Sequence, residues 1–289
     1  MARLRYFGRS LLASLDRSSY ACPNCGCSGK TVDRKYVITQ LRRCQRCKLL
    51  YRTPIDPSTL NHHFYQSEYS QGFTTDLPSD AELHSLLARN FLGTEKDYTN
   101  YLSVLTSLGL APGSRVFDFG CSWGYGSHQL QRYGYRVSAY EISRPRSQYA
   151  KDRLGIDMVA DIAAAKNDLR NQFDCFFSAH VLEHVPRPSD AFGLAWSLLK
   201  RGGIFVSFTP NGSAAHRARS KDWSLLWGEV HPNFIDECFM DEQFRSSPRA
   251  VSSSTTYQLR LPSEAAMITC GPLDGGELVF AARKTGNNW

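Results

Sequence analysis

The chain has 289 residues, 42% of them hydrophobic, which is enough for one large domain with a small appendage. Its apolar runs are too short for a membrane-spanning helix, and its N-terminus lacks the layout of a signal peptide, so a cytoplasmic location is expected. The formal net charge is +7, and residues 1–60 hold 12 Lys and Arg against three Asp and no Glu. This basic segment could contact a phosphate-bearing substrate, a nucleic acid or an anionic membrane surface, or could be a solvated arm.

Residues 1–20 are predicted to form a short basic helix. Leu4, Leu11 and Leu15 belong to an apolar series at roughly helical spacing, and arginines lie between its members. A stripe of this kind is expected to pack against its own protein, and peripheral contact with a membrane is the alternative.

Two Cys-x-x-Cys pairs follow, separated by 18 residues that include a β-leaning stretch. Pairs at this separation, each on a hairpin turn, can place four thiolates in a tetrahedron around Zn²⁺. We therefore predict a structural zinc ribbon over residues 21–52. The predicted ligands are Cys22, Cys25, Cys44 and Cys47, with Cys27 as a neighbour that could substitute for Cys25. The nine cysteines fit metal binding in a reducing compartment better than a disulfide framework.

Residues 53–110 are predicted to be a linker and a helical lid. The linker contains histidine and aromatic side chains in a polar context: His62, His63, Phe64, Tyr65, Tyr69 and Phe73. They suit either a lid that closes over a flat ligand or an attachment of the ribbon to the main domain. Residues 81–108 have helical spacing, and Gly109 ends the predicted helix.

Strand-like and helix-like segments alternate over residues 111–289. This alternation predicts an α/β domain with a Rossmann-like, mostly parallel sheet and helices on both faces. Two segments near the C-terminus, 255–261 and 277–282, are predicted to close the sheet as an antiparallel pair.

The first strand of this domain leads into the sequence Val116-Phe-Asp-Phe-Gly-Cys-Ser-Trp-Gly124. Its spacing differs from the G-x-G-x-x-G of dinucleotide folds, and Asp118 would repel a phosphate but suit a cationic amino-acid group. Glu141, at the end of the next strand, can accept hydrogen bonds from both hydroxyls of a ribose. A tight turn in an unrelated α/β protein is the alternative. The segment resembles the first motif of class I S-adenosylmethionine (SAM) methyltransferases, with Ser122 replacing the middle glycine.

A second segment adds to the resemblance. Phe173-Asp-Cys-Phe-Phe-Ser-Ala-His180-Val-Leu-Glu183-His184-Val resembles the motif after strand four in the same family. The family implies SAM as methyl donor, and the residues expected to bind it are Asp118, Gly120, Ser122, Trp123, Gly124, Glu141, Ile142, Asp161 and Ile162. Asp161 suits the amino group of an adenine, while Ile142 and Ile162 suit its faces. Asp161 equally suits a helix N-cap.

Methyl transfer to a hydroxyl requires removal of its proton, and histidine has a suitable pKa. The resemblance places the acceptor near His231, which is the preferred base, and His180 is expected to face the methyl donor or the acceptor. Either could instead be a structural histidine, and His184 is expected to be packed in that way. Related quinone-type O-methyltransferases have an acid-x-x-Glu-His string that can bind a divalent cation. Because His180 replaces the first acid, such a cation is not expected here.

The ribbon and the aromatic segment after it are similar to the leader of a methyltransferase subgroup associated with sugar and polysaccharide assembly. This resemblance implies O-methylation of a sugar or glycan hydroxyl, because the longer sugar C-methyltransferases carry a further C-terminal domain. Three other hypotheses stay open: an RNA methyltransferase that uses the basic ribbon, a methyltransferase of a small molecule such as a quinone precursor, and a non-catalytic SAM-fold binding module. Nucleic acid is the weaker partner, since no base-methylating motif follows strand four. The oligomeric state is left open.

Overall fold

The computed structural model describes residues 8, 10–35, 38–56, 75–253, 259–264 and 267–286. The histidines and aromatic residues of the predicted lid, at positions 62–73, lie outside the described residues. The strands, in chain order, are β1 (Gly29–Lys35), β2 (Thr39–Cys44), β3 (Leu50–Thr53), β4 (Arg115–Phe119), β5 (Arg136–Tyr140), β6 (Asp157–Met158), β7 (Phe173–Ala179), β8 (Leu199–Pro210), β9 (Asn233–Phe234), β10 (Arg249–Ser252), β11 (Ile268–Cys270) and β12 (Glu277–Arg283).

The main sheet has the spatial order β11-β10-β12-β8-β7-β4-β5-β6 within the described residues. The strands from β8 to β6 run parallel to one another, and β12 is inserted antiparallel between β8 and β10. This architecture confirms the predicted α/β fold class, a Rossmann-like and mostly parallel sheet with an antiparallel strand near the C-terminus.

Helices cover the sheet, which explains why its central strands are apolar on both faces. The helices, in chain order, are α1 (Asp80–Ala88), α2 (Thr99–Ser107), α3 (Tyr125–Tyr133), α4 (Arg144–Leu154), α5 (Ile162–Asp168), α6 (Pro188–Leu198), α7 (Ala214–Arg219) and α8 (Glu237–Gln243). Along β7, alternate side chains enter two different cores: Phe176 stacks on Phe117 of β4, whereas Phe177 packs in the cluster that contains Val206 of β8.

The helix expected over residues 81–108 is instead two helices, α1 and α2. Asn90 and Phe91 have positive φ angles of 48° and 62°, which a right-handed helix cannot contain. The fully buried ring of Phe91 lies 6.0 Å from that of Trp123. Burial of this ring therefore accompanies the break between the two helices.

The prediction that segments 255–261 and 277–282 pair with each other was wrong for the first segment. The strand expected at 277–282 forms β12, but it pairs with β8 and β10. Of the segment 255–261, residues 255–258 are outside the described part and 259–261 are not in a strand. Because β10 is only four residues long, its sequence carries little strand periodicity.

A smaller sheet has the order β1-β2-β3-β9. The first Cys-x-x-Cys pair comes before β1, and the second lies at the end of β2 and in the turn to β3. The fourth strand of this sheet, β9, comes from a much later part of the chain, with Leu50 opposite Phe234. The backbone N–H of Arg52 also donates to the carbonyl of Pro232 at 2.7 Å. The small sheet is therefore tied to the segment that carries His231.

Only part of the predicted N-terminal helix lies among the described residues. Residues 10–14 are helical, and a 3₁₀ turn follows at Arg17–Tyr20. Leu12 and Leu15 are 72% and 80% exposed, so these two apolar side chains do not pack against the rest of the described protein. Across the described ranges, every helix is too short or too polar to traverse a lipid bilayer.

Candidate active site

A cavity of about 670 Å³ lies at the carboxyl ends of β4, β5 and β7. The neighbours of β4 are β5 on one side and β7 on the other, so the strand order reverses at this point. Ligands of open α/β sheets bind in the crevice outside such a reversal. The volume is also within the range of small-molecule sites.

Two glycines shape the loop between β4 and α3. Gly120 has a φ of +85°, and a Cβ there would lie 2.4 Å from Cγ2 of Val181, in the segment after β7. Gly124 has a φ of +91°, and its Cβ would lie 2.9 Å from Cβ of Ala150. Ser122, between them, has a φ of +52°, a conformation that side chains disfavour. The loop is thus packed too closely for side chains at both glycines.

Glu141 links this loop to the start of α4. Its Oε2 accepts a hydrogen bond from the backbone N–H of Ser122 at 3.0 Å, and its Oε1 accepts one from Ser143 at 2.8 Å. Burial raises the pKa of Glu141, and these hydrogen bonds and the charge of Arg146 offset part of that rise. Glu141 lines the cavity. Each carboxylate oxygen can accept more than one hydrogen bond, so Glu141 can still bind hydroxyl groups.

Asp118 does not lie among the residues that line the cavity. It is 2% exposed, and its Oδ2 accepts a hydrogen bond from Oγ of Ser127 at 2.6 Å. Burial raises the pKa of Asp118 to about 7. In this structure Asp118 joins the end of β4 to α3 rather than facing a ligand.

The other predicted donor-site residues divide into two groups. The cavity is lined by Gly120, Ser122, Ile142 and Ile162. Trp123 and Gly124 lie behind this wall, and Trp123 is fully buried. The sequence alone does not show which residues line the cavity. Within the loop after β4, Ser122 lines the cavity, whereas the next residue, Trp123, is buried in the core.

Asp161 is the N-cap of α5. Its Oδ1 accepts hydrogen bonds from the backbone N–H groups of Ala163 and Ala164, at 2.8 and 3.2 Å. The side chain is exposed and lies outside the cavity lining, where its neighbour Ile162 contributes instead. The structure therefore supports the N-cap interpretation of Asp161, since capping directs the carboxylate toward the helix end.

His180 lies at the polar side of the cavity with a positive φ of 54°. Its Nε2 is 2.7 Å from Oε1 of Glu277, and the hydroxyl of Tyr101 donates to the same oxygen at 2.7 Å. Burial lowers the pKa of His180, but hydrogen bonds with Glu183 and Glu277 outweigh it and raise that pKa to about 10. Nearly half of the side-chain surface is exposed, and it faces the cavity. At neutral pH His180 is therefore a cation and not a proton acceptor.

Glu183, His184 and His231 form a second polar cluster on the cavity wall. The two imidazole rings are 4.7 Å apart in an edge-to-face arrangement. Burial lowers the pKa of His184 to about 4, and the charge of Glu183 opposes this only in part. Burial acts to raise the pKa of Glu183, but the neighbouring histidines hold it below its usual range. His184 is thus neutral and Glu183 ionised at neutral pH.

Sequence reasoning missed several residues of the site. Tyr101 and Glu277 come from elements far from the recognised motifs, and Arg146 lines the cavity with its Nε donating to the carbonyl of Thr75 at 2.9 Å. Glu277 begins the last strand, and the only hint in the sequence was an acid directly after Gly275 and Gly276.

The four predicted zinc ligands come together at the small sheet. The Sγ atoms of Cys22 and Cys47 are 3.5 Å apart, and those of Cys25 and Cys44 are 3.4 Å apart. All four sulfur atoms lie within 4.8 Å of one another. This donor set fits Zn²⁺, which four thiolates bind tetrahedrally, whereas Cys27 is not part of the group.

Comparison with known proteins finds similarity over part of the chain. Residues 117–207 match the family model described as a methyltransferase domain. Over 110 residues the chain is 36% identical to cyclopropane-fatty-acyl-phospholipid synthase of Escherichia coli (strain K12). The aligned region covers 37% of this chain and 28% of that protein. Over 113 residues it is 32% identical to ubiquinone biosynthesis O-methyltransferase of Xanthomonas campestris pv. campestris (strain B100), covering 36% of this chain and 46% of that protein.

A solved structure of a SAM-dependent methyltransferase from Archaeoglobus fulgidus superposes with a TM-score of 0.45 at 14% identity, covering 70% of this chain and 100% of that one. The family match begins in β4 and ends in β8, so it contains both the glycine loop and Glu141. From β4 to β8, the chain is thus similar to a methyltransferase domain. The chain spans less than half the length of the two curated relatives named above.

Proposed function

We propose that this protein is a SAM-dependent methyltransferase that acts on a hydroxyl of a sugar or of a sugar-linked acceptor. The observation that carries the proposal is the position of Glu141, a carboxylate on the cavity wall at the reversal point of a methyltransferase-like sheet. Its remaining lone pairs suit the vicinal hydroxyls of a ribose. SAM supplies an electrophilic methyl group, so the protein has to orient the acceptor oxygen, exclude water and handle its proton.

The cavity has two sides with different chemistry. On the side of β5, Tyr140, Ile142 and Ile162 offer apolar surface that suits the adenine of the methyl donor. On the side of β7, His180 and Glu183 offer charged groups that suit a hydroxylated acceptor. Donor and acceptor would then meet at the carboxyl end of β4, beside the loop that contains Gly120.

A sugar acceptor is favoured by the zinc-ribbon leader, which resembles that of methyltransferases associated with sugar and polysaccharide assembly. A quinone precursor is the second candidate acceptor. It is favoured by the 32% identity to an enzyme named for ubiquinone biosynthesis and by the apolar residues Leu194 and Pro186 in the cavity wall. Both candidates present a hydroxyl that has to lose a proton during methylation.

The proposal is tested by incubating the purified chain with methyl-labelled SAM and four acceptor panels: nucleotide sugars, glycans, dihydroxyphenyl compounds and RNA. Label transferred to a sugar hydroxyl, and lost in a Glu141→Gln variant, is the expected result. The control is Glu242→Gln, a surface carboxylate paired with Arg245 outside the cavity, which should transfer label at the wild-type rate. Transfer only to phenols would select the second candidate, and transfer only to RNA would contradict both.

A further inference from the structure

We propose that Glu183, His184 and His231 form a binding site for a divalent transition-metal cation on the cavity wall. No cation was expected from the sequence around His180, but His231, from a distant segment, supplies a third donor. One carboxylate oxygen and one nitrogen from each imidazole lie within 4.8 Å of one another. Ligands about 2.1 Å from a tetrahedral ion lie about 3.4 Å apart, so movements of about 1 Å in these side chains close the site.

Glu183 is buried, and within the described residues its carboxylate oxygens are not held by short hydrogen bonds. The residue is 1% exposed, and its two carboxylate oxygens make only long contacts with the part of the chain that the structure describes. The nearest ring nitrogens to Oε1 are Nδ1 of His180 at 3.5 Å and Nε2 of His184 at 3.9 Å. A buried carboxylate is unfavourable unless it is paired and hydrogen-bonded or coordinates a metal. Glu183 is paired with His180 only at the long distance of 3.5 Å, so a cation between Glu183, His184 and His231 would complete its pairing.

Both histidines are oriented as metal-bound histidines are. Nδ1 of His184 is 2.8 Å from the carbonyl oxygen of Val230, and Nδ1 of His231 is 3.0 Å from that of Leu226. A carbonyl oxygen only accepts hydrogen bonds, so Nδ1 is the donor in each ring, and in a neutral imidazole this makes Nε2 the nitrogen that can bind a metal. Backbone carbonyls commonly fix the tautomer and the orientation of metal ligands in this way.

The two segments that supply the ligands are held together by the backbone. The N–H of Asn233 donates to the carbonyl of Glu183 at 3.1 Å, and its side-chain amide donates to that of Val185 at 2.6 Å. Asn233 belongs to β9, which pairs with β3 of the small sheet. The relative position of Glu183 and His231 is therefore set by the fold and does not depend on an ion.

Two imidazoles and one carboxylate suit Zn²⁺, Co²⁺ or Fe²⁺ better than Ca²⁺ or Mg²⁺, which prefer oxygen ligands. Glu183, His184 and His231 all line the cavity, so an ion held by them would be accessible to a ligand in the cavity. If the proposed function holds, an acceptor hydroxyl bound there would release its proton to water more readily. Its oxygen lone pair would bond to the methyl carbon as the S–CH₃ electron pair returns to sulfur. His231 would then act as a ligand and not as the base.

The test uses Co²⁺ alone as the probe, added to the purified chain with zinc already bound at the four cysteines. Calorimetry and visible absorption should report one additional Co²⁺ per chain, without the charge-transfer bands that thiolate ligands produce. Glu183→Gln, which keeps the side-chain shape, and His231→Ala should each weaken this binding at least 10-fold. His84→Ala, which removes an exposed histidine of α1, should leave it unchanged.

Circular dichroism and SAM binding of each variant report whether it is folded, so loss of Co²⁺ binding is not confused with unfolding. Wild-type protein that binds no Co²⁺ beyond the ribbon would overturn the inference, as would folded variants that bind it with wild-type affinity. Binding of Co²⁺ without any binding of SAM would instead overturn the proposed function and leave the metal site standing. The Co²⁺ and SAM measurements therefore test the metal site and the proposed function independently.

Discussion

Replacing Gly120 with alanine tests whether the loop after β4 is pressed against the segment after β7. The structure predicts two separate costs for Gly120→Ala. One is the left-handed backbone at a φ of +85°, and the other is the distance of 2.4 Å between the new Cβ and Cγ2 of Val181. Gly109 provides a matched control, because its φ is +86° but a Cβ there meets nothing within 4 Å.

The two costs can be given magnitudes. A left-handed conformation costs a non-glycine residue about 1–2 kcal/mol, which is the whole effect expected for Gly109→Ala. Overpacking of a closely packed site adds about 1–3 kcal/mol, so Gly120→Ala should lower the free energy of unfolding by about 2–5 kcal/mol. Shortening Val181 to alanine removes the methyl groups in contact, so it should restore the steric part in the double variant.

Urea unfolding followed by circular dichroism measures these differences. Gly120→Ala is expected to be less stable than Gly109→Ala by about 1–3 kcal/mol, and a double-mutant cycle with Val181→Ala should give a favourable coupling of about 1 kcal/mol or more. Equal destabilisation by the two glycine substitutions, or a coupling near zero, would refute the close contact between the two loops. The position of the cavity wall would then be wrong as well.

Three further predictions concern other groups. Glu141→Gln should weaken SAM binding roughly 10- to 100-fold in calorimetry, because it loses a charge-assisted hydrogen bond worth about 1.5–3 kcal/mol. The pKa of Asp118 is raised by burial from 3.8 to about 7, so its ionisation destabilises the fold as pH rises through that window. Asp118→Asn should therefore gain stability relative to wild type between pH 4 and 7 in urea titrations, and the gain should level off at about pH 7. Cys44→Ser should lose one bound zinc and lower the melting temperature, whereas Cys27→Ser should keep the zinc; metal analysis and thermal melting measure both.

The sequence was sufficient for features that depend on local pattern. Alternating strand and helix segments predicted the parallel sheet, and parallel strands bring their carboxyl ends to one edge, which placed Glu141 and His180 at a common cavity. The spacing of the two Cys-x-x-Cys pairs likewise predicted that their four sulfur atoms would meet. These inferences need no knowledge of which distant elements pack together.

Features that depend on long-range packing were not predictable in this way. The approach of His231 to Glu183 follows from the pairing of β9 with β3, and Glu277 reaches His180 only because β12 is inserted beside β8. The burial of Asp118 follows from its hydrogen bond to Ser127 on α3. Each of these depends on a contact between segments that the sequence pattern does not order relative to one another.

Binding of the methyl donor is the central claim, and isothermal titration calorimetry with SAM and with S-adenosylhomocysteine tests it most directly. We expect saturable binding of one molecule per chain with a dissociation constant of about 1 μM or lower, which corresponds to a binding free energy of about −8 kcal/mol or stronger. Heats no larger than dilution for both ligands, with or without an acceptor from the active panel, would contradict it.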